Sequence, residues 1–518
     1  MKRLLPFLCI ALIYCSCKKE KTIDEPKDPE PEVEVKDTVA LTLIKIEPVN
    51  NKDKVTQDIY GKIVNDTINF LIPSFENNKK FVVTFAATNA TVTVNDTVQE
   101  SGKTLTDFSK IIDYKLTSAK GTTKTYKINL KNFTGLPILY LNTTDSITSK
   151  DEYVEGAVTI NTNNLYEQPL KNIALQAKGR GNSTWGMPKK PYRLKFSSKA
   201  PMLGMGTAKN WVLLANYSDK TLMRTSIAFD LGRKIGADFT FDGRFVELVM
   251  NGKYAGSYYL TSQVEVNENR VNIPELKKSV TSPPDITGGY LLEQDMRLDE
   301  DFWFRTKKAD LPITIKSPED ITDSQLDYIK DYMQQTEDAI LSEEFSDPDK
   351  SYEKFINTES FINWYIVQEI MKNEDAQEKT SIFYYKDRNG KLSMGPLWDF
   401  DLGAGNVDYS DSRYPTGWWI KDGPWFRHLF KDPKFIAKLK TKWNAIKGKE
   451  LKEIPKTIDR TAAYLDLSQR ENFKRWNILG IYVWPNQFVL GSYSAEVAQL
   501  KRWLNERISW LDSEINKL

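Results

Sequence analysis

The chain has 518 residues, with 72 Lys and Arg against 70 Asp and Glu and a formal net charge of +2. That length allows several domains with self-sufficient cores, and that balance leaves no electrostatic footprint for nucleic acid. There is one histidine, His428, and all three cysteines (Cys9, Cys15, Cys17) lie at the start, so the rest of the chain has no disulfide, thiol nucleophile, thiolate metal site or histidine cluster.

Residues 1–17 have the form of a bacterial lipoprotein signal. Lys2 and Arg3 precede an apolar run, Leu4 to Tyr14, that is too short to span a bilayer and ends in Tyr14-Cys15-Ser16-Cys17. Cys17 is then the lipidated first residue of the mature protein. This places it in the bacterial cell envelope, on an outer or cell-surface membrane, held through the lipid anchor only. An ordinary cleaved secretory signal is the alternative. Residues 18–37 are rich in Lys, Glu, Asp and Pro, with almost nothing to bury, and are expected to be a disordered tether. No later apolar stretch is long enough to cross a membrane.

Residues 38–134 carry a β pattern. Leu41, Leu43 and Lys45 alternate with Thr42, Ile44 and Ile46, and Thr125 to Leu130 alternates with period two. Short strands broken by Asn, Asp and Gly turns predict a small all-β immunoglobulin-like sandwich.

Residues 135–518 mix strands and helices, which predicts one large α+β domain. Ser218-Asp219 is placed to cap a helix carrying Leu222, Met223, Ile227, Leu231 and Ile235. A second helix is expected near Tyr352 to Met371, and a last one from Ser494 to Asn516. His428 has no Gly-x-Ser-x-Gly elbow to serve and reads as structural, which leaves any catalysis to carboxylates, Lys and Arg. Trp418, Trp419, Trp425, Trp476 and Trp484 suit the core of a large domain, with sugar stacking as the alternative.

Two constellations carry chemistry. In the first, Ile173 to Ala177 reads as a strand, followed by Gly179-Arg180-Gly181-Asn182-Ser183-Thr184-Trp185-Gly186 and a second strand through Tyr192-Arg193-Leu194-Lys195-Phe196. A glycine-rich turn exposes backbone N–H groups that can cradle phosphate oxygens, and a Lys on the next strand suits the same ligand. A plain hairpin is the alternative. In the second, Asn373-Glu374-Asp375 and Trp398-Asp399-Phe400-Asp401 flank a predicted hairpin with its turn at Lys386 to Gly390. The hairpin brings Asp375 and Asp399 to one end of paired strands. Such carboxylates can accept the proton of an attacking hydroxyl and hold magnesium on nucleotide phosphates, or they can be solvated loop ends. Asp399 and Asp401 sit among Leu397, Trp398, Phe400 and Leu402, where an unpaired carboxylate is costly to bury.

The Gly179 to Trp185 stretch with Lys190-Pro191-Tyr192-Arg193-Leu194-Lys195 resembles the opening motif of the CotH family, the spore coat protein H kinases. Trp211 to Arg224, Val249 to Leu260 and Trp398 to Asp401 are similar to the same family, in the same order. The resemblance implies an atypical protein-kinase-like CotH domain that uses ATP with Mg²⁺ or Mn²⁺ to phosphorylate Ser or Thr of a protein substrate. By matching position it implies Asp375 as catalytic base, Asp399 as metal ligand, and Asp401 as a second metal ligand or a carboxylate supporting it. It also implies Lys195 as the phosphate-contacting lysine with Arg193 as substitute, and Gly179, Arg180, Gly181, Asn182 and Ser183 as the ATP-facing loop. One departure stands out: Ser262-Gln263 replaces the Glu-Gln usual in the family. The alternatives are a non-catalytic, pseudokinase-like surface protein that binds a protein or a glycan, and glycoside hydrolysis by paired carboxylates. Hydrolysis leaves Lys195 and the glycine loop without a role.

Overall fold

The computed structural model describes residues 37–52, 54–75, 79–167, 170–377 and 380–518. The lipoprotein signal, Cys17 and the tether up to residue 36 lie outside the described residues. Among the described residues no helix is long and apolar enough to cross a membrane.

The N-terminal module is built from two sheets. Ile59–Tyr60, Ala40–Ile46, Lys80–Thr88 and Leu105–Asp107 form one; Lys62–Val64, Thr67–Ile72, Thr123–Asn132, Ile112–Thr117, Thr91–Val94 and Thr97–Val98 form the other. They enclose a core of their own that includes Ile46, Ile68, Phe70, Phe81, Leu116 and Ile128. Tyr126, Ile128 and Leu130 point inward on alternate positions, as a half-buried strand requires. The first strand breaks its alternation. A bulge between Leu41 and Leu43 shifts the register, so Leu41, Ile44 and Ile46 are buried while Leu43 is exposed. Thr67–Ile72 pairs with Thr123–Asn132 in parallel. Phe75 stacks on Tyr254, with ring centroids 4.2 Å apart, and its N–H donates to Glu471 Oε2 at 3.0 Å, so this module touches both the neighbouring barrel and a C-terminal helix.

That barrel is closed and consists of Ile138–Thr143, Val154–Asn161, Ile173–Gly179, Tyr192–Pro201, Thr207–Leu214, Lys253–Ser262 and Gly243–Met250, in that spatial order. A parallel pairing of the first and last strands shuts it. Leu141, Val158, Leu175, Leu194, Trp211 and Leu260 fill the interior. In Tyr192–Pro201 the side chains of Tyr192, Leu194 and Phe196 are buried, while Arg193 and Lys195 face outward.

The remainder is a five-stranded antiparallel sheet wrapped by helices. Its order is Trp303–Arg305, Pro312–Ser317, Tyr290–Gln294, Ile382–Lys386 and Leu392–Met394. The last two strands form the expected hairpin, with Tyr384 opposite Met394 and Lys386 opposite Leu392. Helix Thr358–Met371 is apolar nearly all round and is buried on every side except at Glu359, as befits a central helix. Asn357 caps it by accepting from Ser360 N–H. The helix after Asp219 starts at Arg224 and runs to Ile235, later than expected. Asp219 uses its carboxylate on the intervening turn, accepting from the N–H groups of Thr221 at 3.0 Å and Arg224 at 2.8 Å. Tyr352 lies in a separate short turn, Tyr352–Lys354, ahead of the central helix. The last helix is Tyr493–Lys517, capped by Ser492 and so starting one residue before Ser494.

Candidate active site

A cavity of about 320 Å³ lies between the barrel and the five-stranded sheet. Gly179, Arg180, Gly181, Asn182, Ser183 and Arg193 line its barrel side; Asp375, Asp399 and Asp401 line it from the sheet side. A larger groove, about 1060 Å³, lies between Thr358–Met371, Pro433–Lys447 and the hairpin tip. It holds none of these residues. Converging charged groups, not volume, single out the smaller cavity.

The glycine turn is tightly built. Gly179 N–H donates to Ser149 O at 2.8 Å and Arg180 N–H to Pro191 O at 3.2 Å, so these two donors are already engaged. The candidates for a phosphate-facing backbone narrow to Gly181 through Ser183. Gly181 has φ +82, and a Cβ there would overlap the Thr184 hydroxyl; a Cβ on Gly179 would overlap the Trp185 ring.

Lys178 pairs directly with Arg193 across two antiparallel strands. Like charges facing each other across a sheet are destabilising unless an anion lies between or beside them. Both line the cavity. Burial, and then the Arg193 charge, pull the Lys178 amine below its usual range. Arg193 Nε is enclosed without a hydrogen-bond partner, and one terminal nitrogen only grazes Asn210 Oδ1 at 3.5 Å. This is a donor set suited to phosphate. Lys195, two residues further along, is exposed, sits 5.6 Å from the Tyr153 ring centroid and does not line the cavity.

The acidic wall is positioned by a second layer. Helix Thr358–Met371 ends at Lys372, whose amine donates to the carbonyls of Asp411 at 2.7 Å, Tyr414 at 3.0 Å and Thr416 at 2.7 Å. Glu374 is buried and accepts from the hydroxyls of Ser410 and Ser412, which leaves Asp375 as the member of its cluster that lines the cavity. Asn373 Nδ2 donates to Asp399 O at 2.9 Å, tying the two acidic clusters together. Asp399 has φ +59 and Ser381 φ +61, left-handed values that concentrate at functional turns. Arg224, ion-paired to Asp219 at 2.5 Å, donates to Gly403 O at 3.0 Å, and Asn406 donates to Asp401 O at 2.8 Å. Asn406 also donates to Ser218 O at 3.2 Å, so the stretch through Ser218, Asp219 and Arg224 braces the Asp399 to Gly403 turn.

Electrostatically this wall is under tension. Burial pushes the Asp401 carboxyl well up, and the negative charges of Asp399, Asp375 and Asp219 push it further. Arg180 lies 5.5 Å from the Trp398 ring centroid; burial pulls its guanidinium down, and Asp399 and Asp401 partly restore it. Among the described residues no three acidic, His or Cys side chains converge tightly enough to cage an ion by themselves. Magnesium needs only one or two carboxylates, completed by phosphate and water, so crowded Asp399 and Asp401 fit such an ion.

Sequence reasoning missed Lys178, Glu293, Arg297 and Lys316, all of which line the cavity. Lys178 was legible as the residue before Gly179; the other three come from distant strands and loops. Ser262 is buried at the end of a barrel strand opposite Trp211, and the lining begins with its neighbour Gln263. Trp425 is core, Trp418 and Trp419 pack against the core, and Trp476 donates to Ala255 O at 2.8 Å. Trp484 is exposed and lies nearly parallel to Tyr409. His428 pairs with Glu343 at 2.8 Å, away from the cavity.

The cavity lies between a barrel and a helix-backed sheet, with Lys178, Arg180 and Arg193 on the barrel side and Asp375, Asp399 and Asp401 across from them. The family model described as CotH kinase protein matches residues 177–511, and the chain belongs to that family. No curated protein matches. Among solved structures, one from Bacteroides thetaiotaomicron described as a candidate glycoside hydrolase matches at 18% identity over 36% of this chain and 54% of that one, with a TM-score of 0.16. This chain thus spans about half the length of that structure, and a likeness so slight bears on neither fold nor activity.

Proposed function

We propose that the protein is an envelope-anchored atypical kinase that transfers the γ-phosphate of ATP to Ser or Thr hydroxyls of surface or secreted proteins. One observation carries this reading: the Lys178–Arg193 pair faces Asp375, Asp399 and Asp401 across a single cavity. Lys178, Arg193 and the turn at Gly181 to Ser183 receive the phosphate chain. Asp399, with Asp401, would hold Mg²⁺ or Mn²⁺, which when bound neutralises charge on the phosphates. Asp375 accepts the proton of the attacking hydroxyl as its oxygen bonds to the γ-phosphorus and the bond to ADP breaks. The N-terminal module serves as an immunoglobulin-like spacer, and a lipid on Cys17 anchors the chain to the envelope.

The test is transfer of labelled phosphate to a protein acceptor with Mg²⁺, followed by phosphoamino-acid analysis. Asp375→Asn should abolish the phosphoserine and phosphothreonine signal while still binding ATP. Undiminished transfer by that variant removes the mechanism. A second reading, a non-catalytic surface protein that binds a glycan or a protein partner, draws support from the exposed Trp484 and Tyr409 rings, 6.0 Å apart and 11° from parallel. Glycan binding lost in Trp484→Ala, with no ATP binding by the wild type, would favour it.

A further inference from the structure

Lys195 does not line the cavity, and a kinase site needs a lysine on the phosphates that is held by a carboxylate. Among the described residues, five cationic side chains besides Arg193 line the cavity. Lys150 donates to Asn182 Oδ1 at 3.3 Å on the glycine turn, and Arg180 lies against the Trp398 ring. Arg297 is engaged elsewhere, donating to Asp295 Oδ2 at 2.7 Å and Thr380 Oγ1 at 2.8 Å. Lys178 stands 4.8 Å from the Tyr153 ring centroid and opposite Arg193, whose charge acts on it more strongly than those of Asp151 and Glu300. Lys316 differs. It lies in Pro312–Ser317, the strand next to Tyr290–Gln294, where Glu293 is opposite Thr314. Residues two apart share a face of a sheet, so Lys316 and Glu293 are diagonal neighbours on the cavity side. Lys316 Nζ is 3.6 Å from Glu293 Oε2 and is ion-paired to Glu300 as well. Glu293 is 8% exposed, and both it and Lys316 line the cavity. Their sheet also carries the hairpin strand Ile382–Lys386, which runs between the two acidic clusters. The sheet that carries the lysine is therefore flanked by the segments that carry the carboxylates.

Resting on the kinase reading above, we propose that Lys316 contacts the nucleotide phosphates from the sheet side, opposite Lys178 and Arg193, and that Glu293 positions it. Lys316 directs one N–H to Glu300 and one toward Glu293, and presents its third to the phosphate chain. Glu293 touches no substrate and acts only through Lys316.

The test is calorimetry of Mg·ATP and Mg·tripolyphosphate binding to the wild type, Lys316→Met, Lys316→Arg, Glu293→Gln and Lys195→Met, with steady-state kinetics beside it. A charge-assisted hydrogen bond is worth about tenfold or more in affinity. Lys316→Met should weaken both ligands by about that factor, and Lys316→Arg should recover part of the loss. Lys195→Met should bind within about twofold of wild type. Glu293→Gln should raise KM for ATP and leave KM for the acceptor unchanged, a split that general destabilisation would not produce. A reactive adenosine sulfonyl fluoride adds a readout that needs no variant. On wild-type protein it should modify Lys316, and excess ATP should prevent this; ATP-protected modification of Lys178 or Lys195 with none at Lys316 overturns the assignment. Lys316→Met binding both ligands like wild type overturns it too, while leaving the kinase reading intact. A wild type that binds neither ligand overturns both.

Discussion

Arg507 is the residue whose removal has the most clearly determined cost. Its guanidinium is fully buried and ion-paired to Glu369, which is itself 2% exposed in its side chain. Nε and Nη2 also donate to Glu369 O, at 3.0 and 2.9 Å, and Nη1 donates to Pro415 O at 3.1 Å and Gly417 O at 2.6 Å. One side chain thus joins the last helix, the end of the central helix and the loop that anchors Lys372. Arg507→Met keeps the volume and deletes the charge. It strands Glu369 in the interior with the N–H groups of Trp419, at 2.8 Å, and Lys421, at 3.0 Å, as its remaining partners. Breaking a buried pair from one side costs about 3–5 kcal/mol, a large share of the ~5–15 kcal/mol that holds a domain folded. Urea unfolding followed by tryptophan fluorescence should show that loss. Adding Glu369→Gln to Arg507→Met should return at least ~1 kcal/mol, because no stranded charge remains. A loss below ~1 kcal/mol for Arg507→Met, the range of a surface pair, would refute the reasoning.

Four further outcomes concern the site. Asp375→Asn should lower kcat by about 10²–10⁴-fold in steady-state assays, the contribution of a positioned general base. Gly181→Ala should cost about 1–2 kcal/mol of stability from its left-handed backbone and weaken ATP binding, measured by melting and by calorimetry. Burial lifts the Glu293 carboxyl to about 7, above its unfolded value near 4.5. The folded state therefore binds the extra proton, and this contribution is complete below pH ~4.5 and lost as pH rises through ~7, on the order of 3 kcal/mol in all. Urea melts of Glu293→Gln should lack that fall between about pH 5 and 7. Asp399→Asn relieves part of the repulsion on Asp401, so the apparent pKa of Asp401, followed by carboxyl NMR, should move down.

Much of the site was legible because its signals are local. The glycine turn, the Asn389-Gly390 hairpin and the acidic residues on either side of it are set by short-range backbone preferences, and the structure brings Gly179 to Ser183, Arg193, Asp375, Asp399 and Asp401 to one cavity. Lys195 shows the limit of that reasoning. Alternation put it on the same face as Arg193, correctly, but two residues along a strand is about 7 Å, enough to leave the cavity. Lys316 and Glu293 carry no local signal; only the pairing of Tyr290–Gln294 with Pro312–Ser317 brings them together. The bulge at Leu41 to Leu43 and the late helix start at Arg224 were hidden for a related reason. In both places a specific hydrogen-bonding arrangement overrides the periodic pattern.

The central claim is phosphoryl transfer at this cavity. The most direct measurement is incubation of the protein with γ-labelled ATP and Mg²⁺ or Mn²⁺ beside Asp399→Ala. Label on the protein or an added acceptor, lost in the variant and with chelator, is the predicted result. No label from the wild type, together with no metal-dependent ATP binding, would contradict it.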